Sequence, residues 1–576
     1  MLSRPFQAKA WTPCATTCRL SPGKKRRQSN PRQKSMKKGP GRRRHIEPIR
    51  RLRSWRAGAY SRRVRLLRPS GVSASLRSLA SLINICAGDF AMHKNSQPLV
   101  LSLALLLTFA AAFILGCARG GGLPDPSGVP VRPEQLSIPV LEFHPPKAER
   151  FEGPNGMDAY LLTDRELPLV QITAWIRVGR IHEPADKIGL ARLTGDVMRD
   201  GGARSLPFEQ MDDELEFLAA SVESGIDEEF GKVSMACLKK DLPRVFEIFS
   251  LVLREPAFAP EKFDLARNQL LEMLRRRNDD PPEILRREFR YLLFGKDSPW
   301  ARTPRSAQVQ ALTRDDLIDF HRRYVTPDRI LLAASGDLSR AELEELMAER
   351  FGDWKSAGEP LPDVAPLGPA PEASVNVITL DKTQSQIRIG HRGPRRGDPD
   401  EAAFEVVNEV FGMGMASRLY RDVRSARGLA YSVFGFLVPG RDQGFFIASA
   451  STKTESAGEC LAAMRAQIQG LFDRPISAGE LAEAREAIVR RAVFDNDSAS
   501  KIVNRRAELE LMGYPPDYMD TYVARVRAVT TEDLRRVIAK HIDPARLVTL
   551  VVGAAAQTDP PLSDFGTVHE IALDKE

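Results

Sequence analysis

Two kinds of apolar pattern alternate along most of this chain. Residues 157–162 and 169–178 carry short apolar runs of strand length. Residues 188–200, 208–218, 242–253 and 261–277 repeat apolar side chains every three to four positions, the mark of amphipathic helices. The alternation recurs later. Residues 375–380 and 387–391 read as strands, and 401–411 and 417–427 as helices. The last of these is closed by Gly428, a residue free to take the left-handed cap. Runs of helices beside antiparallel-type strands predict an α+β fold.

The pattern is also duplicated. Residues 313–336 read TRDDLIDFHRRYVTPDRILLAASG and residues 530–553 read TTEDLRRVIAKHIDPARLVTLVVG. At a constant offset of 217, without a gap, Thr, Asp, Leu, Pro, Arg and Gly are identical at six positions. Each copy opens on a Thr placed to cap a helix, with acids in the first turn. A short amphipathic helix, a Pro turn and an apolar strand ending at Gly follow. Between the copies, residues 358–371 contain five prolines, the composition of a linker. The expectation is two homologous domains, 136–357 and 373–560, joined by the Pro-rich linker 358–372 and followed by a tail, 561–576. Each domain is expected to be a mixed, mostly antiparallel sheet packed with helices.

The N-terminal portion differs. Residues 1–91 hold 23 Lys and Arg against two acids, Glu47 and Asp89, with no apolar periodicity. Such a segment does not bury enough surface to fold. It fits a nucleic-acid-binding arm, a transit peptide, or a stretch that is not translated. The next residues favour the last reading. Met92-His93-Lys94 is a short basic start, residues 99–116 carry no charge, and Cys117 follows; this is the order of an export signal. Ile114-Leu115-Gly116-Cys117 resembles a lipoprotein box, in which cleavage exposes a cysteine for acylation. Residues 92–117 are therefore expected to be a lipoprotein-type signal and 118–135, rich in Gly and Pro, a tether. Anchoring through Cys117 to the outer membrane, facing the periplasm, is the expectation. A single transmembrane anchor is the alternative, since 18 apolar residues just reach spanning length.

Charge changes the picture once the arm is set aside. The whole chain is +9 at pH 7, but residues 92–576 carry 61 basic and 73 acidic side chains. The folded part is acidic, so the basic total implies no nucleic-acid partner. Of six cysteines only Cys237 and Cys460 lie in the expected domains, too far apart and too few for a metal or disulfide framework.

The order of elements from residue 136 to about 553 resembles the insulinase/pitrilysin metallopeptidases, the inverse zincins. There the first long helix carries G-L-A-H-x-x-E-H: two His one turn apart bind zinc and the Glu activates water. Here Gly189-Leu190-Ala191 is followed by Arg192, Gly195 and Asp196 at the three essential positions. No two of the eight histidines lie three to five residues apart, so no shifted zincin motif exists. Arginine stays protonated and does not ligate zinc. An ion pair of Arg192 with Asp196, one turn on, is expected. The third ligand of the family falls near Glu272 or, one residue later, Met273.

The second domain keeps the family's other feature. Active members use an Arg and a Tyr spaced R-x6-Y to bind substrate and steady the oxyanion. Arg424 and Tyr431 match that spacing, with Ser417-Arg418-Leu419-Tyr420 just before. A guanidinium and a phenol are suitable donors to a peptide carbonyl. In the family's bacterial two-chain branch, one subunit carries zinc and the other the Arg/Tyr pair. The resemblance therefore implies the non-zinc subunit. It holds no metal or catalytic residue of its own, binds peptide or unfolded protein, and completes the site of a zinc-bearing H-x-x-E-H homologue in peptide hydrolysis. The alternative is a non-enzymatic, homodimeric binding or scaffold protein of the cell envelope.

Overall fold

The computed structural model describes residues 144–356 and 359–574. The arm, the signal segment with Cys117, and the tether lie outside these. The described chain folds around two six-stranded sheets. The strands of the first are β1 (Glu149–Glu152), β2 (Asp158–Thr163), β3 (Leu169–Ile176), β4 (Ser221–Ile226), β5 (Gly231–Leu238) and β6 (Ile330–Gly336). Those of the second are β7 (Ser374–Thr379), β8 (Gln384–Arg392), β9 (Ala430–Val438), β10 (Phe445–Lys453), β11 (Val548–Gly553) and β12 (Val568–Glu570). The orders are β1-β2-β6-β3-β5-β4 and β12-β7-β11-β8-β10-β9. Apart from the outermost strand, the second order repeats the first. In both sheets the pair at the duplicated strand, β2 with β6 and β7 with β11, is parallel, and the following three pairs are antiparallel. The mixed, mostly antiparallel α+β architecture is thus present twice.

Fourteen α-helices are described. In the first half they are α1 (Leu190–Asp200), α2 (Phe208–Leu218), α3 (Leu242–Arg254), α4 (Pro260–Arg275), α5 (Pro281–Phe294), α6 (Ser306–Ala311), α7 (Arg314–Tyr324) and α8 (Arg340–Phe351). In the second they are α9 (Glu401–Phe411), α10 (Ala457–Asp473), α11 (Ala478–Asp495), α12 (Ala499–Leu511), α13 (Tyr518–Ala528) and α14 (Thr531–His541). The duplicated motif is α7 with β6 and α14 with β11. Thr313 Oγ1 accepts from Asp316 N, and Thr530 Oγ1 from Asp533 N, and each acid reaches back to the Thr backbone. The same capping box therefore starts both copies.

The strands β6 and β11 are apolar at almost every position because both faces of each sheet are covered. On β6, Ile330, Leu332 and Ala334 face the main core of the first half, while Leu331 and Ala333 face the other way. That second face is covered by Val503 and Ala507 of α12, a helix of the second half. Reciprocally, Ile284, Leu285 and Phe289 of α5, from the first half, pack on Val548, Leu550 and Val552 of β11. The helices α5 and α12 are themselves counterparts at the offset of 217. Each half therefore lends its copy of one helix to the other's sheet. Polar contacts fix the exchange. Trp175 Nε1 donates to Asn504 Oδ1 at 2.9 Å, and Tyr160 OH to Glu510 Oε2 at 2.7 Å. Arg150 bridges Asp158 and Glu510, and Arg396 pairs in a fork with Glu229.

Two expectations need correction. The tail, 561–576, is not wholly a tail: Val568–Glu570 forms β12, parallel to β7. The reason is the open edge of β7, which a short strand satisfies; Asp574 then reaches Lys296. The helix expected over 417–427 is wound more loosely, with a π-type stretch at Tyr420–Ala426. Arg427 N bonds Asp422 O and Leu429 N bonds Val423 O. The wider turn buries Leu419 and Val423 together, and Gly428 closes it at φ +67°.

Candidate active-site halves

The helix α1 stands where the resemblance places the zinc motif. It opens at Gly189, whose φ of +101° requires glycine. Its first turn is capped by a side chain from upstream: Glu183 Oε1 accepts from Gly189 N at 3.1 Å and from Ala191 N at 2.6 Å. Burial pushes the Glu183 carboxyl up to about 7, with the two amides and nearby Arg180 and Arg302 opposing. Arg302 Nη2 holds the same loop through the Glu183 carbonyl at 2.6 Å.

The three degenerate positions have distinct surroundings. Arg192 is 43% exposed in its side chain and sits 3.5 Å from Asp196. Its Nη1 also donates to the thioether of Met273 on α4 at 3.4 Å. Burial raises the Asp196 carboxyl and Arg192 opposes the shift. Gly195 is pressed against β4. A Cβ there would lie 2.3 Å from Ile226 N and 2.7 Å from Gly225 C, closer than any side chain tolerates. Ser224 Oγ donates to Gly195 O at 2.6 Å and accepts from Arg199 N at 3.1 Å. The hydroxyl thus bridges two groups one helical turn apart. Arg199 Nε adds a bond to Val222 O at 3.0 Å.

Glu272 turns to its own helix, pairing with Arg276 at 2.7 Å and Arg275 at 3.3 Å. Met273, one residue on, is the α4 side chain that meets Arg192. These residues do not fit a zinc ion. One position is a fixed cation and one has no room for any side chain. The third position is a carboxylate paired with Arg192, and α4 presents a thioether. Zinc prefers neutral imidazole, thiolate and carboxylate. Elsewhere among the described residues, Asp398, Asp400 and His541 converge within 4.8 Å. Arg536, Lys540 and His541 already surround Asp400, so that group is an ion-pair cluster.

The second half presents Arg424 and Tyr431 differently. Arg418 anchors the segment with a fork to Glu480 at 2.8 and 2.9 Å, plus carbonyl bonds to Gly470 and Arg474. Arg424 is exposed, with its guanidinium carbon 4.9 Å from the ring centre of Tyr420. That ring supports the cation from below. Tyr431 lies at the start of β9, the edge strand. The pairing of β9 with β10 shifts there: Ser432 faces Ser451 and Ala430 faces Thr452, leaving Tyr431 as the extra residue. It is a bulge, a device that re-aims a side chain, and Tyr431 is 52% exposed. Among the described residues no hydrogen bond joins Arg424 to Tyr431, nor either to α1.

Reading the sequence did not find Glu183, the platform Tyr420, or the bulge at Tyr431. Only the first left a trace, an acid six residues before an unusual glycine. The other two depend on strand pairing and ring placement.

Known proteins share this fold. The model described as insulinase (peptidase family M16) matches residues 161–294, and that described as peptidase M16 inactive domain matches residues 311–488. An uncharacterized zinc protease of Mycobacterium bovis is 28% identical over 55% of this chain and 73% of its own length. The uncharacterized zinc protease YmxG of Bacillus subtilis is 21% identical over 67% of this chain and 93% of its own. Among solved structures, a peptidase M16 inactive domain from Pseudomonas fluorescens superposes with a TM-score of 0.65 at 21% identity, covering 74% of this chain and all of that one. The periplasmic protease PqqL of Escherichia coli gives 0.62 at 16%, covering 72% and 48%. With the two family models together spanning more than half of the residues, over two sheets of matching order, the chain belongs to the insulinase (M16) peptidase family.

Proposed function

We propose that this chain is the non-catalytic subunit of a two-chain metallopeptidase. It binds peptide, and Arg424 and Tyr431 complete the active site of a homologue that carries zinc on an H-x-x-E-H helix. The observation that carries the reading is a contrast between the halves. The helix that would hold the metal is closed at Gly195 against the β4 backbone. The pair that would hold the substrate stands exposed, one member on an aromatic platform and the other on a bulge.

In this reading the H-x-x-E-H residues of the homologue would hold zinc, which would supply Lewis-acid polarisation of the scissile carbonyl and an activated water. Arg424 and Tyr431 donate to the peptide carbonyl where negative charge grows. Preorganised donors of this kind act on the transition state more than on the ground state. The chain is tethered to the outer membrane through acylated Cys117, which keeps the pair of subunits in the periplasm.

Co-purification from the native membrane tests the assembly. A zinc-bearing family homologue in equimolar amount supports the proposal. A second copy of this chain and no other protein supports the homodimeric scaffold instead.

A further inference from the structure

Between the start of α1, the end of α4, helix α5 and the loop 299–304 lies a cavity of about 450 Å³. Its lining includes the apolar side chains of Ile188, Leu270, Leu274 and Trp300, with eight arginines against four carboxylates. The arginines outnumber the carboxylates of the lining itself, and carboxylates from beyond it reach some of them: Glu288 lies 2.8 Å from Arg287 and Asp574 3.9 Å from Arg277. Glu228 alone serves both Arg180 at 3.6 Å and Arg290 at 2.7 Å. Among the described residues Arg302 donates to the carbonyls of Arg180, at 3.3 Å, and Glu183, its Nε has no hydrogen-bond partner, and the Glu183 carboxyl is the anion near it. Among the described residues Arg192 is held by Asp196 and the Met273 sulfur. Asp196 and Glu272, which pair with Arg192 and Arg276 from outside the cavity, are partly exposed. Exposed pairs of this kind are weak and exchange readily.

We propose that this cavity binds the carboxylates of an acidic peptide segment, with Arg192 and Arg302 as its principal contacts. The guanidinium fork matches a carboxylate with two parallel bonds. The apolar part of the lining suits the carbon stems of a peptide and not a free inorganic anion, which would leave most of 450 Å³ unfilled. Burial also lowers the Arg302 pKa, with the Glu183 carboxyl opposing the shift only in part, and an incoming carboxylate relieves the cost of that burial. On this view Arg192 is a resident cation in the place of the family's metal ligand, so that the degenerate helix has become a recognition surface. The inference rests on the peptide-binding reading of the chain and names the class of segment bound.

The test uses the purified whole chain and fluorescein-labelled hexaglutamate and hexaglutamine peptides, followed by anisotropy at low and moderate salt. Hexaglutamate is expected to bind at least about 10-fold more tightly, less so as salt rises. Arg192→Gln, at an exposed position, is expected to weaken hexaglutamate binding by about 10-fold and to leave hexaglutamine unchanged. Arg290→Gln, with the fold checked by circular dichroism, is expected to act in the same direction. Equal affinity for the two peptides overturns the proposal, as does hexaglutamate binding that neither variant alters. Oligothymidylate binding as tight as that of hexaglutamate, and lost in the same variants, overturns a peptide as the occupant. No partner subunit is present in this assay, so its failure is separate from failure of the shared-site reading, which is judged by turnover.

Discussion

Gly195→Ala is the substitution in which local and tertiary physics predict opposite signs. In an exposed helix interior, alanine is more favourable than glycine by about 1 kcal/mol. At Gly195 the new Cβ would meet Ile226 N at 2.3 Å, Gly225 C at 2.7 Å and Gly225 Cα at 2.9 Å. All three are backbone atoms, so relief requires α1 and β4 to separate. Overpacking of this sort costs about 1–3 kcal/mol. Separation also strains the Ser224 hydroxyl bridge to Gly195 O and Arg199 N, whose bonds contribute about 1 kcal/mol each. The net expectation is a loss of about 2 kcal/mol. For a cooperative unit the size of one half, that lowers Tm by roughly 4–8 °C. Thermal and urea unfolding of the purified variant measure it. Gly225→Ala is the comparison, because a Cβ there meets nothing within 4 Å, and its cost is expected to be much smaller. A Gly195→Ala variant as stable as wild type, or more so, refutes the argument that β4 closes this helix. The same geometry predicts that restoring His, Glu and His at 192, 195 and 196 yields unstable protein and not a zinc site.

Other outcomes follow from the same structure. Arg424→Ala or Tyr431→Phe is expected to leave the reconstituted complex assembled while slowing peptide hydrolysis by about 100- to 1000-fold, the usual cost of one oxyanion-type donor. Arg424→Lys is not expected to rescue, since a point charge does not replace a planar fork. Glu183 gives a pH signature. Its carboxyl moves from its ordinary 4.5 to about 7 in the fold, so between those values the unfolded chain releases a proton that the folded chain keeps. Stability then falls as pH rises through that window, by at most about 3 kcal/mol. Glu183→Gln, which preserves an acceptor for Gly189 N and Ala191 N, should remove the decline. Buried His182, pushed down to about 4, acts in the opposite sense, so the quantity to read is the difference between wild type and variant across pH 4.5–7; parallel curves contradict the assignment. Cys117→Ala is expected to release the protein from the membrane fraction or leave it unprocessed, and a variant bound and processed like wild type argues against lipid anchoring.

The architecture was legible where local rules and tertiary needs coincide. Thr313 and Thr530 announced their helices because capping is a four-residue affair, and 208–218 and 401–411 came out with the bounds the structure shows. The duplication was visible in α7–β6 and α14–β11 because both strands are buried and both helices bury the same face, Leu317 and Phe320 in one and Leu534 and Val537 in the other. The exchange of α5 and α12 was not visible, since each helix is amphipathic in its own right and nothing local says whose sheet it covers. Gly195 appeared in the sequence only as a missing glutamate. Its structural reason lies thirty residues away at Gly225 and Ile226, beyond any helical or strand period. The arginines of the α1 cavity are scattered from Arg180 to Arg302 and converge only when α4 and α5 fold back. Apolar spacing predicts an ordinary helix over Tyr420–Ala426, because it does not distinguish one extra residue per turn.

The central claim is that zinc and the Arg/Tyr pair reside on different chains. The most direct measurement is hydrolysis of a quenched fluorogenic peptide by this chain, by a zinc-bearing family homologue from the same cells, and by the equimolar mixture, each with and without a zinc chelator. The account predicts turnover in the mixture, abolished by chelator, and almost none from either chain alone. Chelator-sensitive hydrolysis by this chain alone, or a homologue as active alone as in the mixture, contradicts it.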